Sequence, residues 1–126
     1  MRVLIVDDQP EVTESLCTLV RDLGHQARGA LTGFEAMDVF QPGRYDVVVI
    51  DIVMPEMNGL EVIRRVRLLD REARIVAMTG TGLDFSEVLS EAGIRVAHKP
   101  FANLEQVADL LGVSSAPATN DDTDLR

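Results

Sequence analysis

The sequence predicts an α/β domain in which a parallel sheet is covered by helices on both faces. Three features carry that expectation. Val3–Val6, Val47–Ile50 and Ile75–Met78 are continuous apolar runs, and strands of that kind are buried on both faces. Segments between the runs place apolar residues at the spacing of an amphipathic helix. Strand and helix alternate five times along the chain, and right-handed crossovers turn such alternation into a doubly wound domain.

The first strand, Val3–Val6, closes on Asp7 and Asp8. Pro10 fits a helix start, where its missing N–H costs nothing. Val12, Leu16, Leu19, Val20 and Leu23 then form one apolar face, and Gly24 stops the helix. Residues 25–30, HQARGA, read as a weak strand at a sheet edge. Ala36, Met37 and Phe40 mark a short helix ended by Pro42-Gly43. Val47–Ile50 is the second strong strand and runs into Asp51. Gly59 to Leu69 is a helix through Leu60, Ile63, Val66 and Leu69. Ile75–Met78 is the third strong strand, followed by Thr79. Phe85–Ala92 is a short helix stopped by Gly93. Ile94–Ala97 is a last strand, weakened by Arg95 and followed by His98, Lys99 and Pro100. Leu104, Val107, Ala108 and Leu111 give the final helix, which Gly112 ends.

Composition narrows the function classes. A chain of 126 residues suits one domain with a sizeable core. Residues 1–112 are expected to form it, and 113–126, polar and without periodicity, read as a disordered tail or the start of a linker. A net charge of −9 argues against a broad nucleic-acid or membrane-surface footprint. Cys17 is alone, so no internal disulfide forms, and its helical setting suggests a buried thiol. The first residues lack the pattern of a signal peptide, and no run is long enough to span a bilayer. A cytoplasmic location is the default expectation.

In a parallel sheet the carboxyl ends of all strands share one edge, and ligands bind where the winding reverses. The residues following the strands are Asp7 and Asp8, Asp51, Thr79, and Lys99. Three carboxylates, a hydroxyl and an ammonium are thus expected on one rim. Three close carboxylates repel one another, so a cation must compensate them or one must hold a proton. Mg²⁺ suits such a site: it takes one or two carboxylates and keeps waters that phosphoryl oxygens can replace. Lys99, the only lysine in the chain, supplies a second positive charge. Asp51, compensated in this way, can act as a nucleophile toward phosphorus, with the Thr79 hydroxyl beside a phosphoryl oxygen and Gly80 leaving room for it. His98 points away from Lys99 by strand alternation and packs or lies at the surface. Met54 and Met57 shape the loop around Pro55. The GTG at 80–82 is too weak a signal for a phosphate loop.

The pieces LIVDDQP, VVVIDIVMPEMNGLEVI, IVAMTG and AHKPF, in that order and at strand ends, resemble the receiver (response-regulator) domain of two-component signalling, the CheY-like superfamily. The match runs from Arg2 to Leu111. The resemblance implies a flavodoxin-like five-stranded sheet of order 2-1-3-4-5 with five helices. It implies phosphorylation of Asp51 by a phosphohistidine, with Mg²⁺ held by Asp8, Asp51 and the backbone carbonyl of Val53, and Asp7 acting through water. Thr79 and Lys99 take the roles of switch hydroxyl and site lysine, and Val53 and Thr81 flank the path of an attacking water. The Lys-Pro bond before Phe101 is usually cis in the family. Expected partners are a sensor histidine kinase or phosphotransfer protein and a downstream protein or output domain. No direct nucleic-acid or membrane contact is expected, and the domain is expected to be a monomer or weak dimer.

Two departures accompany the resemblance. Val96 stands where many members carry an aromatic residue, so the aromatic half of the usual switch is missing. The stretch from Thr79 to Lys99 is about two residues short against the usual pattern, which implies a short fourth helix. Two alternatives compete. A haloacid-dehalogenase-like phosphatase also uses an Asp nucleophile, but needs an acid two residues later, where Asp7 has Gln9 and Asp51 has Val53. A pseudo-receiver would bind partners without phosphorylation, and Val96 keeps that reading open.

Overall fold

A computed structural model describes residues 1–80, 86–99, 101 and 103–113. The strands are β1 (Arg2–Val6), β2 (Gln26–Ala30), β3 (Val47–Asp51), β4 (Arg74–Thr79) and β5 (Arg95–His98). The helices are α1 (Pro10–Asp22), α2 (Gly33–Val39), α3 (Gly59–Leu69), α4 (Ser86–Glu91) and α5 (Leu104–Leu111). All strand pairs are parallel, in the order β2-β1-β3-β4-β5. This is the flavodoxin-like topology.

Alternation along each strand divides the core into two layers. Leu4, Val6, Val48, Ile50, Ile75 and Ala77 face α2, α3 and α4, meeting Ala36, Phe40, Val62, Val66 and Leu89. Val3, Ile5, Val47, Val49, Val76 and Met78 face α1 and α5, meeting Leu16, Val20, Val107 and Leu111. The strand residues of β1 and β3 are fully buried apart from Arg2 and a few per cent at Asp51, as unbroken apolar runs require. Cys17 is a buried free thiol of the second layer.

Local chemistry fixes the helix starts. Thr32 Oγ1 accepts from the Glu35 N–H at 2.9 Å, and Glu35 Oε1 accepts from the Leu31 N–H at 2.8 Å. Asn58 and Asn103 cap α3 and α5 through the Glu61 and Gln106 N–H groups. Each such cap contributes about 1 kcal/mol. Helix α1 has no side-chain cap on Gln9; Asp7 accepts the Gln9 N–H instead, and Pro10 starts the helix. Gly24, at φ 93°, turns the chain out of α1 in a conformation other residues resist.

Strand limits differ from the sequence expectation by a residue: β1 starts at Arg2, β3 ends at Asp51 and β5 ends at His98. β4 runs one residue further at each end, Arg74–Thr79. β5 begins at Arg95, not Ile94, because the Ile94 N–H bonds to the Leu89 carbonyl and its side chain packs beneath α4. Pairing then continues from Val76–Arg95 to Thr79–His98. The expected helix start at Phe85, the residues Thr81, Gly82 and Pro100, and the tail beyond Val113 lie outside the described residues.

Candidate functional site

The winding reverses between β1 and β3, and the ends of these two central strands carry the acids. Asp7 is fully buried, Asp51 nearly so, and Asp8 half-buried. One carboxylate oxygen from each of the three can be chosen so that all lie within 4.8 Å of one another. Backbone turns orient two of them. Asp7 Oδ1 accepts the Gln9 N–H at 2.9 Å, and Asp51 Oδ1 accepts the Val53 N–H at 3.1 Å.

Lys99 arrives from the far side of the sheet. Its N–H donates to the Thr79 carbonyl at 2.9 Å, extending the β4–β5 ladder by one residue. Its Nζ then donates to Asp7 Oδ2 at 2.7 Å and to Asp51 Oδ2 at 3.2 Å. The sequence reading made Lys99 a positive charge compensating Asp51; it bonds to both acids, with the shorter bond to Asp7. Asp7 is wholly withdrawn from water, so its charge needs a partner.

Charge is under-compensated here. Three carboxylates face one ammonium, a net of two negative charges. Burial raises the Asp51 pKa above its ordinary value, the Asp7 charge adds to the rise, and Lys99 and the Val53 N–H oppose it. The Lys99 ammonium titrates above its ordinary range: burial works against its charge, but the hydrogen bond and charge of Asp7, with those of Asp51, outweigh it. A hard dication fits this donor set, which is all oxygen, acidic and open on one side to a cleft. That cleft has a volume of about 700 Å³ and is lined by Asp8, Asp51, Val53, Gly80, Lys99 and Phe101 among others.

The Thr79 hydroxyl also fits an oxygen-rich ligand at this rim. It is buried and has no hydrogen-bond partner among the described residues. An unsatisfied buried hydroxyl costs roughly 1–3 kcal/mol, which an incoming oxygen acceptor would recover. Gly80 beside it is exposed, and nothing but the Lys99 stem lies within contact range of its missing Cβ among the nearest atoms, at 3.5 to 3.7 Å.

The structure thus brings Asp7, Asp8, Asp51, Thr79 and Lys99 to one rim, with Val53 at the cleft edge. His98 is exposed, and among the described residues no hydrogen bond or ion pair joins it to the acids. Val96 is half-buried against the layer that holds α2, α3 and α4. Two contributors escaped the sequence reading. Gly59 lies directly on the Asp51 carbonyl and on Ile52, where no Cβ fits. Asn58-Gly59 looked like an ordinary helix start, which concealed this packing. Glu56 adopts φ 64° in the loop after Asp51; only a Gly or Asn there would have signalled the left-handed turn.

A profile of the response regulator receiver domain matches residues 3–111. The chain belongs to that family. As a receiver domain it is 32% identical over 111 residues to Sporulation initiation phosphotransferase F of Bacillus subtilis, covering 86% of this chain and 88% of that relative. It is 32% identical over 126 residues to Response regulator MprA of Mycobacterium avium, covering 98% of this chain but 55% of that protein. The chain therefore spans about half the length of some larger response regulators it matches. Among solved structures, the response regulator TrrA of Thermotoga maritima, in complex with Mg(2+)-BeF, superposes with a TM-score of 0.76 at 32% identity, covering 88% of this receiver domain and 96% of TrrA. A receiver domain is a signalling switch of two-component systems, and the phosphatase alternative falls with that assignment. Among the described residues, no helix is long and apolar enough to cross a membrane.

Proposed function

We propose that this receiver domain accepts a phosphoryl group on Asp51 from the phosphohistidine of a sensor histidine kinase or phosphotransfer protein, and that the resulting acyl phosphate alters its affinity for a protein partner. The observation that carries the reading is the rim itself: a buried Asp51 with Asp7 and Asp8 beside it and the Lys99 ammonium 3.2 Å away.

An Asp51 carboxylate oxygen attacks phosphorus from the cleft. The O–P bond forms as the P–N bond breaks, and the leaving imidazole takes a proton from solvent. Lys99 faces the developing charge on the phosphoryl oxygens, and the Thr79 hydroxyl donates to one of them. Asp8, Asp51 and the Val53 carbonyl are the residues that fit Mg²⁺, with Asp7 acting through water; when bound, the ion neutralises acids and phosphoryl oxygens together. Val53, 44% exposed at the cleft, flanks the approach of hydrolytic water, with Thr81 as its counterpart in the sequence, and the pair sets the lifetime of the phosphate. Phosphate on Asp51 draws Thr79 inward and biases the domain between two packings.

The similarity to a phosphotransferase and to a receiver solved with Mg(2+)-BeF supports this reading. Residues 1–112 are the receiver unit in this proposal, and 113–126 a tail or linker, with an output domain or separate protein as downstream partner. The cytoplasm, where its phosphodonors act, is the proposed location. Incubation with acetyl phosphate and Mg²⁺, followed by intact mass measurement, tests it. One phosphate adduct, absent in Asp51→Asn, is expected. If neither acetyl phosphate nor any kinase gives an adduct, the chain is a pseudo-receiver.

A further inference from the structure

The opposite end of the sheet carries a second charged feature. Near the amino ends of β4 and β5 lies a cavity of about 300 Å³. Four of the chain's eleven arginines line it: Arg67 from α3, Arg71 from the loop, Arg74 from β4 and Arg95 from β5. The one acid in its lining is Glu72, and buried Ile75 forms part of its floor. Asp109 pairs with Arg95 and Asp70 lies near Arg67, so the excess of positive charge rests chiefly on Arg71 and Arg74, in a chain of net charge −9.

Three of the guanidiniums are held in place by acceptors. Arg67 donates to the Ala73 carbonyl at 2.6 Å, Arg74 to the Leu111 carbonyl at 2.8 Å, and Arg95 to the carbonyl and carboxylate of Asp109 at 2.6 and 2.9 Å. The carbonyls orient Arg67 and Arg74 without cancelling their charge, whereas the Asp109 carboxylate offsets that of Arg95; each fork keeps further N–H groups. Arg74 and Arg95 also complement the carboxyl end of α5. That structural duty does not account for Arg71, which is exposed and has no partner among the described residues.

We propose that this cavity binds a small anion bearing a pyrophosphate or paired phosphate groups. Pre-oriented arginines match the oxygens of such groups by bidentate hydrogen bonds, and the volume lies at the lower end of the range for small-molecule sites. The site lies across the sheet from the acidic rim, so it works independently of Asp51.

Calorimetric titration of the whole chain with inorganic pyrophosphate, in EDTA, tests the proposal. Without a metal the acidic rim repels the anion, which leaves the arginine cavity as the binding site. Saturable one-to-one binding is expected, about tenfold weaker in Arg71→Ala. The melting temperature of ligand-free Arg71→Ala and its phosphorylation by acetyl phosphate stay at parental values. Arg64→Ala/Arg65→Ala, which removes exposed arginines of α3 outside the cavity, keeps full affinity. A nucleoside diphosphate arm separates a nucleotide source, which binds more tightly than pyrophosphate, from a free anion, which does not; both support the site. No saturable binding, equal loss in the Arg64/Arg65 control, or binding only of single-stranded DNA overturns it.

Discussion

Replacing Gly59 with Ala is expected to weaken the fold and displace the proposed phosphoacceptor at once. A Cβ there would stand 2.6 Å from Ile52 Cα and 2.9 Å from the Asp51 carbonyl carbon, where ordinary contact begins at 3.4 Å. The Asp51 carbonyl oxygen lies nearer still, so the main chain must part by at least about 0.8 Å. Because the obstacle is backbone at the end of a central strand, no side-chain rotation relieves it. Overpacking of this kind costs roughly 1–3 kcal/mol, and the helix preference of Ala over Gly returns at most about 1 kcal/mol. A net loss of about 1–2 kcal/mol corresponds to a fall in Tm of roughly 3–10 °C for a domain of this size. Displacing a reacting carboxylate on the order of 1 Å slows a positioned reaction by about a hundredfold. Gly80→Ala is the control: its Cβ meets the Lys99 side chain at ordinary contact distances, so stability changes by less than about 0.5 kcal/mol. Calorimetry in EDTA and acetyl phosphate labelling followed by mass give the two readouts. A Gly59→Ala variant that melts with the parent and is labelled at the parental rate refutes the packing argument.

Four further outcomes are expected. The folded-state pKa of Asp51 is raised, so above the ordinary value of 3.8 the native state holds a proton the unfolded chain has lost, and stability falls as pH rises through the shifted value. Asp51→Asn should therefore stabilise the metal-free domain at neutral pH, with the gain vanishing below pH 3.8; urea melts across pH showing no such divergence would contradict it. Lys99→Met strands the fully buried Asp7, and breaking a buried pair costs roughly 3–5 kcal/mol, measurable by denaturation in EDTA and disproved by an unchanged midpoint. Mg²⁺ should raise the parental Tm, by the equivalent of about 2.7 kcal/mol at a hundredfold excess over Kd; an equal rise in Asp8→Asn would remove the ion from the acidic rim. Glu56→Gly relieves a left-handed residue and should stabilise by about 0.5–1 kcal/mol, whereas a loss on chemical denaturation would mean the Glu56 side chain holds the loop.

What the sequence made legible follows from how each feature is encoded. The strands β1, β3 and β4 announce themselves because burial on both faces demands unbroken apolar runs. The acidic rim was readable because parallel topology carries the ends of those runs to one edge. The start of β5 was misplaced by a residue because Ile94 is apolar for α4 and not for the sheet. The shorter bond of Lys99 to Asp7 depends on three-dimensional placement, which no local pattern records. Gly59 is required by a contact between backbones rather than by its own torsion. The arginine cavity draws on four separate elements whose charges look like ordinary surface when read in order.

The solitary lysine gives the domain a single-channel chemical reporter. Lys99 carries the only side-chain primary amine in the sequence. At 15% exposure and bound to two carboxylates, it is shielded from acylating reagents. Each acyl group gained at residue 99 then measures how often the ammonium leaves its acids. Reductive methylation with carbon-13 at that one nitrogen would let NMR follow the same departure without adding any foreign dye.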